Sequence, residues 1–197
     1  MERDGAKLFE EFDETPRGRR ASGAVPSVVI RSARSSDADA IGRISAEREG
    51  RDPSQDSAAV ARDLRDESIG RRRIVLVAEL DGSVVGFGKA LYREEETAQA
   101  GRGLPEGWYL TGVVVDPDFR RMGVGTRLTA ARMEWIAERA SAAYYFANAS
   151  NRVSIALHED FGFVEIARAP AFGSESFIGG EGVLFRAELG GSAGGAR

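Results

Sequence analysis

The chain contains no cysteine. A disulfide scaffold, a thiolate metal site and a cysteine nucleophile are thereby excluded. Histidine occurs once, as His158, so a multi-histidine metal centre is excluded and no metal is expected. One histidine suffices for serine–histidine chemistry, but no G-x-S-x-G accompanies it. No run approaches the ~20 apolar residues of a membrane-crossing helix. The N-terminal MERDGAKLFEEFDE is charged and has no apolar stretch, so it does not read as a secretory signal. Basic charge is also short: Lys and Arg total 27 against 31 Asp and Glu, a net charge of −4. Such a chain has no net field for wrapping nucleic acid. The expectation is a cytoplasmic protein with neither nucleic-acid nor membrane partners.

What is present fits one domain. The 197 residues are 42% hydrophobic, enough to bury a sizeable core. Residues 1–26 read as a tail, with four arginines, two prolines and few apolar side chains. Residues 190–197 (GGSAGGAR) read as a second, flexible tail. The folded part is expected at 27–189. There, 28–34 reads as a short strand, and a helix follows Ser36, with Asp37 and Asp39 suited to its first turn. After a break at 50–55, a second helix runs from about 54 to 67. Residues 74–80 and 84–92 form a hairpin about Asp81-Gly82. A polar loop spans 94–107, and 108–115 (WYLTGVVV) is the most strand-like segment. A helix covers about 122–140, with Val124, Leu128, Ala131 and Trp135 on one stripe. Then come a strand at 143–147, a short helix at 153–161, and strands at 163–169 and 183–188. This order predicts a mixed α/β sheet with helices on both faces.

The segment YLTGVVVDPDFRRMGVGTRL, residues 109–128, carries the chemistry. A buried strand ends at Val115, and Asp116-Pro117 stops it, because proline donates nothing to a sheet ladder. Arg120, Arg121, Met122, Gly123, Val124, Gly125 and Thr126 follow, and a helix begins. Glycines at such a junction let the backbone approach a ligand. Free N–H groups together with a helix N-terminus make an anion site. Two arginines add full charges, so the expected ligand is a phosphate or pyrophosphate. It is not a P-loop, since no Lys-Ser/Thr follows the glycines. Leu128 stands where a dinucleotide fingerprint needs its third glycine.

Arg120-x-x-Gly123-x-Gly125 after this strand end resembles the acyl-coenzyme A loop of the GNAT acetyltransferases, R/Q-x-x-G-x-G/A. Downstream, Asn151-RVSIALHED-Phe161-Gly162-Phe163 is similar to that family's N-x-x-A-x-x-L-Y-x-x-x-G-F stretch. Asn151, Leu157, Gly162 and Phe163 are in register. Ser154 replaces the usual alanine and His158 the usual tyrosine. The resemblance covers roughly residues 28–188. It implies a GNAT-like three-layer α/β/α fold with a mixed, mostly antiparallel sheet whose central strands splay.

The resemblance also implies a reaction, direct transfer of acetyl from acetyl-coenzyme A to a primary amine. Backbone groups of Val113, Val114 and Val115 would pair with the pantetheine arm, and the Val115 amide or its neighbour would polarise the thioester carbonyl. Amides from Arg121 to Thr126 would hold the pyrophosphate, with Arg120 and Arg121 adding charge-assisted contacts. Asn151 would bond the pantetheine amide and Ser154 would line the channel. His158 stands where relatives carry an acidic tyrosine, so it is either a proton donor to sulfur or a packed side chain. For the basic role, Tyr109 orients substrate or water, its strand parity placing it on the face of Thr111, Val113 and Val115. Glu79 or Glu106 would act through water. Specificity would come from 50–55, 93–107 and 172–182, where Phe172, Phe177 and Ile178 either wall the acceptor site or cover the core. The arginines at 71–73 read as a solvated turn. The acceptor is expected to be a small-molecule amine. The alternatives are a peptide amine or a non-catalytic acyl-coenzyme A sensor, and a homodimer is possible on the resemblance alone.

Overall fold

The structure is a computed structural model and describes residues 8–9, 27–66, 69–97, 102–177 and 179–190. The expected tails, 1–26 and 190–197, lie outside the described residues apart from Leu8, Phe9 and Gly190, and so does Ile178. In chain order the elements are β1 (Leu8–Phe9), β2 (Val29–Ser32), α1 (Ala38–Glu49), α2 (Pro53–Asp63), β3 (Arg73–Leu80), β4 (Ser83–Arg93), β5 (Gly107–Val115), α3 (Val124–Ala137), β6 (Ala142–Asn148), α4 (Arg152–Glu159), β7 (Val164–Ala169), β8 (Ala171–Phe172), β9 (Glu175–Phe177) and β10 (Gly182–Glu188). Seven strands form a sheet in the order β2-β3-β4-β5-β6-β10-β7, and β1-β9-β8 form a smaller one. The pairs β2–β3, β3–β4, β6–β10 and β10–β7 are antiparallel, whereas β5–β6 is parallel. This is the mixed, mostly antiparallel α/β arrangement expected.

The chain divides into two compact units. The first comprises residues 15–91 and 110–134. Its β3 is buried at almost every position, as a strand covered on both faces must be. Asp81 (φ +49) and Gly82 (φ +78) turn it into β4. Both lie in the left-handed region that a two-residue hairpin requires. Helix α2 starts at Pro53, behind an Asp52 carboxylate that accepts from the Ser54 N–H at 2.9 Å, as a capped N-terminus should. Helix α1 ends on Gly50 in the left-handed conformation. The helices meet closely: a Cβ on Gly42 would lie 2.6 Å from the Ser57 Cα and nearer still to the Ser57 nitrogen. Ile41, Ile44, Val60, Val75, Val77, Phe87 and Val114 form one buried cluster. Asp37, just before α1, accepts from Arg31 Nη1 and Nη2 at 2.7 and 2.9 Å and from the Arg34 N–H at 2.7 Å.

The second unit comprises residues 1–14, 92–109 and 135–197. Its cluster gathers Leu104, Tyr109, Phe146, Ala167, Phe172, Phe177 and Leu184. Residues 172–177 of the expected rim turn at 172–182 instead belong to the β8–β9 hairpin. Phe172 is fully buried and Phe177 nearly so, so of the two roles expected for them they take the core one. A Cβ on Gly182 would overlap the Phe177 ring, which makes this glycine a packing requirement. Within the expected polar loop, Glu96 and Leu104 exchange backbone hydrogen bonds. Arg93 pairs with Glu96 at 3.1 Å and with Glu175 at 3.0 Å, tying that loop to β9.

Candidate active site

In the first unit, the Asp116-Pro117 turn is held from three sides. The Asp116 N–H donates to the Val85 carbonyl at 3.0 Å. Its carboxylate accepts from the Asp118 N–H at 3.1 Å and from Arg43 of α1 at 3.1 Å. A single 3-10 turn, Pro117–Phe119, follows. Gly86 on β4 passes directly beneath: a Cβ there would stand 3.0 Å from the Val114 carbonyl and 3.3 Å from Val124 Cγ1. The end of β5 and the start of α3 therefore rest on bare backbone.

The loop then changes hand. Arg121 takes φ +63 and Gly123 φ +75. Residues 121–123 are exposed, while Val124 and Leu128 are buried and seat the helix. The Arg127 N–H donates to the Gly123 carbonyl at 3.0 Å. Among the described residues, no group accepts from the N–H groups of Arg121, Met122, Gly123, Val124, Gly125 or Thr126. Six consecutive unspent donors at a helix N-terminus are chemically suited to an anion. The Arg120 Nε donates to the Val115 carbonyl at 3.3 Å. Arg120 is thus folded onto the strand end, and Arg121 is the more exposed of the pair.

In β5, Gly112 takes φ +52. The strand alternation does not run through it, which corrects the parity expected from spacing. Tyr109 lies in the core of the second unit and Val114 in that of the first, with Val113 and Val115 half-buried. The Tyr109 hydroxyl donates to the Pro105 carbonyl at 2.7 Å, and the ring stacks on Tyr144 at 5.2 Å. Burial above all pushes its ionisation well beyond the usual phenol range, so its oxygen stays protonated. Glu79, on β3, accepts from Arg31 Nε at 2.7 Å. Glu106 accepts from the Tyr92 hydroxyl. Each expected basic group is thus already engaged.

In the second unit, the Asn151 Oδ1 accepts from the Ser154 N–H at 3.1 Å and caps α4. The amide nitrogen of Asn151 donates to none of the described residues. His158 is buried at 3% exposure, and its Nδ1 lies 2.8 Å from the Ser154 carbonyl. A carbonyl only accepts, so Nδ1 carries the hydrogen. That hydrogen is therefore spent within the helix. The ring stacks on Tyr145 at 3.9 Å and 10°, with Phe163 edge-on at 5.5 Å. Tyr145, read from sequence as an ordinary strand residue, is a group that pattern reasoning missed. So is Arg132 of α3, buried with donors on the Leu128 and Lys89 carbonyls and Thr129. A Cβ on Gly88 would lie 2.9 Å from its Nε, so the glycine makes room for it. Nothing in hydrophobic spacing announces either.

Unspent N–H donors at a strand-to-helix junction suit an anionic ligand. The sequence profile of the Acetyltransferase (GNAT) family matches residues 40–163. The chain belongs to the GNAT acetyltransferase family and is an N-acetyltransferase. Among solved structures it is similar to the ribosomal-protein-alanine N-acetyltransferase of Brucella melitensis, with 25% identity and a TM-score of 0.62 over 82% of this chain and 99% of that one. It also resembles the ribosomal-protein-S18-alanine N-acetyltransferase of Escherichia coli, with 18% identity, a TM-score of 0.59 and coverage of 87% and 99%. Aminoglycoside 6'-acetyltransferase type Ii superposes with 16% identity, a TM-score of 0.58 and coverage of 82% and 97%. No curated protein sequence matches the chain. Among the described residues no helix is long and apolar enough to cross a membrane, and no cluster of three His, Asp or Glu side chains is arranged to hold a metal ion.

Proposed function

We propose that this enzyme transfers acetyl from acetyl-coenzyme A directly to the primary amine of a small molecule. The observation that carries the reading is the run of open N–H donors from Arg121 to Thr126, with Arg121 and Gly123 in left-handed conformations. Its donor-only chemistry fits a pyrophosphate, which brings acceptors and negative charge alone. When bound, acetyl-coenzyme A supplies an acyl group already activated as a thioester.

The roles of the chain's residues follow from their chemistry. The amides of residues 121–126 bind the pyrophosphate and the exposed Arg121 adds a full charge. Main-chain groups of Val113, Val114 and Val115 take the arm in strand fashion, and a Val115-region amide polarises the thioester carbonyl. The Asn151 amide nitrogen donates to the arm while its oxygen holds the helix cap. The attacking amine gives its proton to water, with Glu79 or Glu106 receiving it through that water, while the Tyr109 hydroxyl stays on the Pro105 carbonyl.

The small-molecule reading of the acceptor is supported by the length of the 93–107 loop and by the ion pairs of Arg93 with Glu96 and Glu175. The named activity of the Brucella melitensis relative favours a second reading, acetylation of a protein N-terminus. A thiol-release screen decides, using acetyl-coenzyme A with polyamines, aminoglycosides, amino acids and peptides starting with alanine. Turnover with small amines is the expected result. Turnover with peptides alone overturns the acceptor assignment. Tight carrier binding without any turnover would favour a sensor and overturn the enzymatic reading.

A further inference from the structure

Arg132 of α3 is buried at 1% exposure, and among the described residues no carboxylate pairs with it. Its donors go to neutral oxygens alone. Nε donates to the Leu128 carbonyl at 3.1 Å, Nη1 to the Lys89 carbonyl of β4 at 3.1 Å, and Nη2 to the Thr129 hydroxyl at 2.9 Å. An ionised group taken out of water without a counter-charge is costly to hold. Burial pushes the guanidinium down to about 9, which leaves it cationic at neutral pH. Methionine would fill much of the same volume without that cost, so the charge serves something other than packing. Strand β4 makes room for it at Gly88, where a Cβ would stand 2.9 Å from Nε.

Between Asp118 and Glu134 the sequence holds four arginines, at 120, 121, 127 and 132, and no acidic residue, although the whole chain carries −4. The Arg132 guanidinium reaches back along α3 to Leu128 and Thr129. Leu128 lies about 6 Å along the axis from Val124, at ~1.5 Å per residue. The unspent N–H groups of residues 121–126 are at that end of the helix. All of these residues belong to the first unit.

We propose that Arg132 is a buried counter-charge for the anion bound at the start of α3, strengthening phosphate binding through the protein interior. The inference rests on the acetyl-coenzyme A reading above. Enclosed as it is, Arg132 makes no contact with the ligand and takes no part in the chemical step. Its charge acts through a medium less polarizable than water. Salt screens the exposed Arg121, whereas a charge enclosed in protein is screened far less.

The test pairs two variants at one seat. Arg132→Met removes the charge and keeps most of the volume, whereas Gly88→Ala presses a Cβ onto the guanidinium and keeps the charge. Titration calorimetry compares coenzyme A with pantetheine, which lacks every phosphate. Arg132→Met is expected to bind coenzyme A about tenfold more weakly, the size of one unit charge acting through protein. The factor should be the same at low and high salt, while the loss in an Arg121→Met control should fade as salt rises. Pantetheine affinity should stay within about twofold, and the Tm of the ligand-free variant within about 2 °C of wild type or above it. Gly88→Ala should lower Tm from overpacking and leave both affinities nearly unchanged. If Arg132 serves only to hold α3 on β4, both variants will lose Tm and weaken both ligands alike, which overturns the proposal. Unchanged coenzyme A affinity in folded Arg132→Met overturns it too. Should Arg132→Met not fold, Arg132→Gln, which also removes the charge but keeps an N–H donor, carries the same expectations. If wild type binds coenzyme A no more tightly than pantetheine, the phosphate reading itself has failed, and this proposal with it.

Discussion

Gly123→Ala isolates the backbone term in carrier binding. Gly123 sits at φ +75, and a Cβ built there meets no atom within 4 Å. Steric overlap therefore contributes nothing, and only the left-handed conformation resists a side chain. That resistance is about 1–2 kcal/mol for an L-residue. Residues 121–123 are exposed, so the loop escapes the strain by returning to negative φ. The return rotates the adjoining N–H groups away from the anion. The cost then falls on ligand affinity and leaves folding stability nearly untouched. At 1.4 kcal/mol per decade, the expected loss is about five- to thirtyfold in Kd for coenzyme A. Titration calorimetry measures it, and a melting curve serves as control, with Tm expected within about 2 °C of wild type. Gly123→Asn should lose less, because asparagine tolerates this region better than alanine. The reasoning is refuted if Gly123→Ala binds coenzyme A within twofold of wild type. A simultaneous fall in Tm would then mean that the strain stays in a rigid loop that does not grip the ligand.

Two further outcomes concern the frame that supports the loop. Gly42→Ala gains about 1 kcal/mol of helix propensity, but its Cβ meets Ser57 backbone atoms that cannot swing aside. Net destabilisation of about 1–2 kcal/mol is expected from overpacking, and Ser57→Gly should not restore the Tm. Asp37→Asn loses charge-assisted bonds from Arg31 and should cost about 2 kcal/mol at pH 7. Arg31 holds the Asp37 carboxyl below its ordinary value, so its contribution is complete above the unfolded value near ~3.9 and fades as pH falls through the folded value. Denaturant curves for wild type and variant should accordingly converge below about pH 4; a gap of constant size would refute the assignment.

Local chemistry was enough to read much of this protein from sequence. Asp81-Gly82 announced the β3–β4 hairpin because so few residue pairs accept two left-handed positions. Asp116-Pro117 followed by Arg120, Arg121 and two glycines announced a strand end and a run of free N–H groups before a helix, because backbone conformation is written in residue type. The alternation of apolar side chains announced the main strands and helices for the same reason. Other features depend on which distant segments meet. The left-handed Gly112, which cancels the expected parity of Tyr109 with Val113 and Val115, follows from no spacing rule. Phe172 and Phe177 could be rim or core until the β8–β9 hairpin put them inside. His158 could face solvent or pack inside until Tyr145 and Phe163 closed on its ring and Nδ1 met the Ser154 carbonyl. Tyr145 is one tyrosine among the four in the sequence until His158, Phe163 and Phe185 close around its ring. Residue type and order determine what the backbone can do and what charge it carries. Whether a polar atom is satisfied, buried or waiting for a ligand is decided only when the tertiary fold removes it from water.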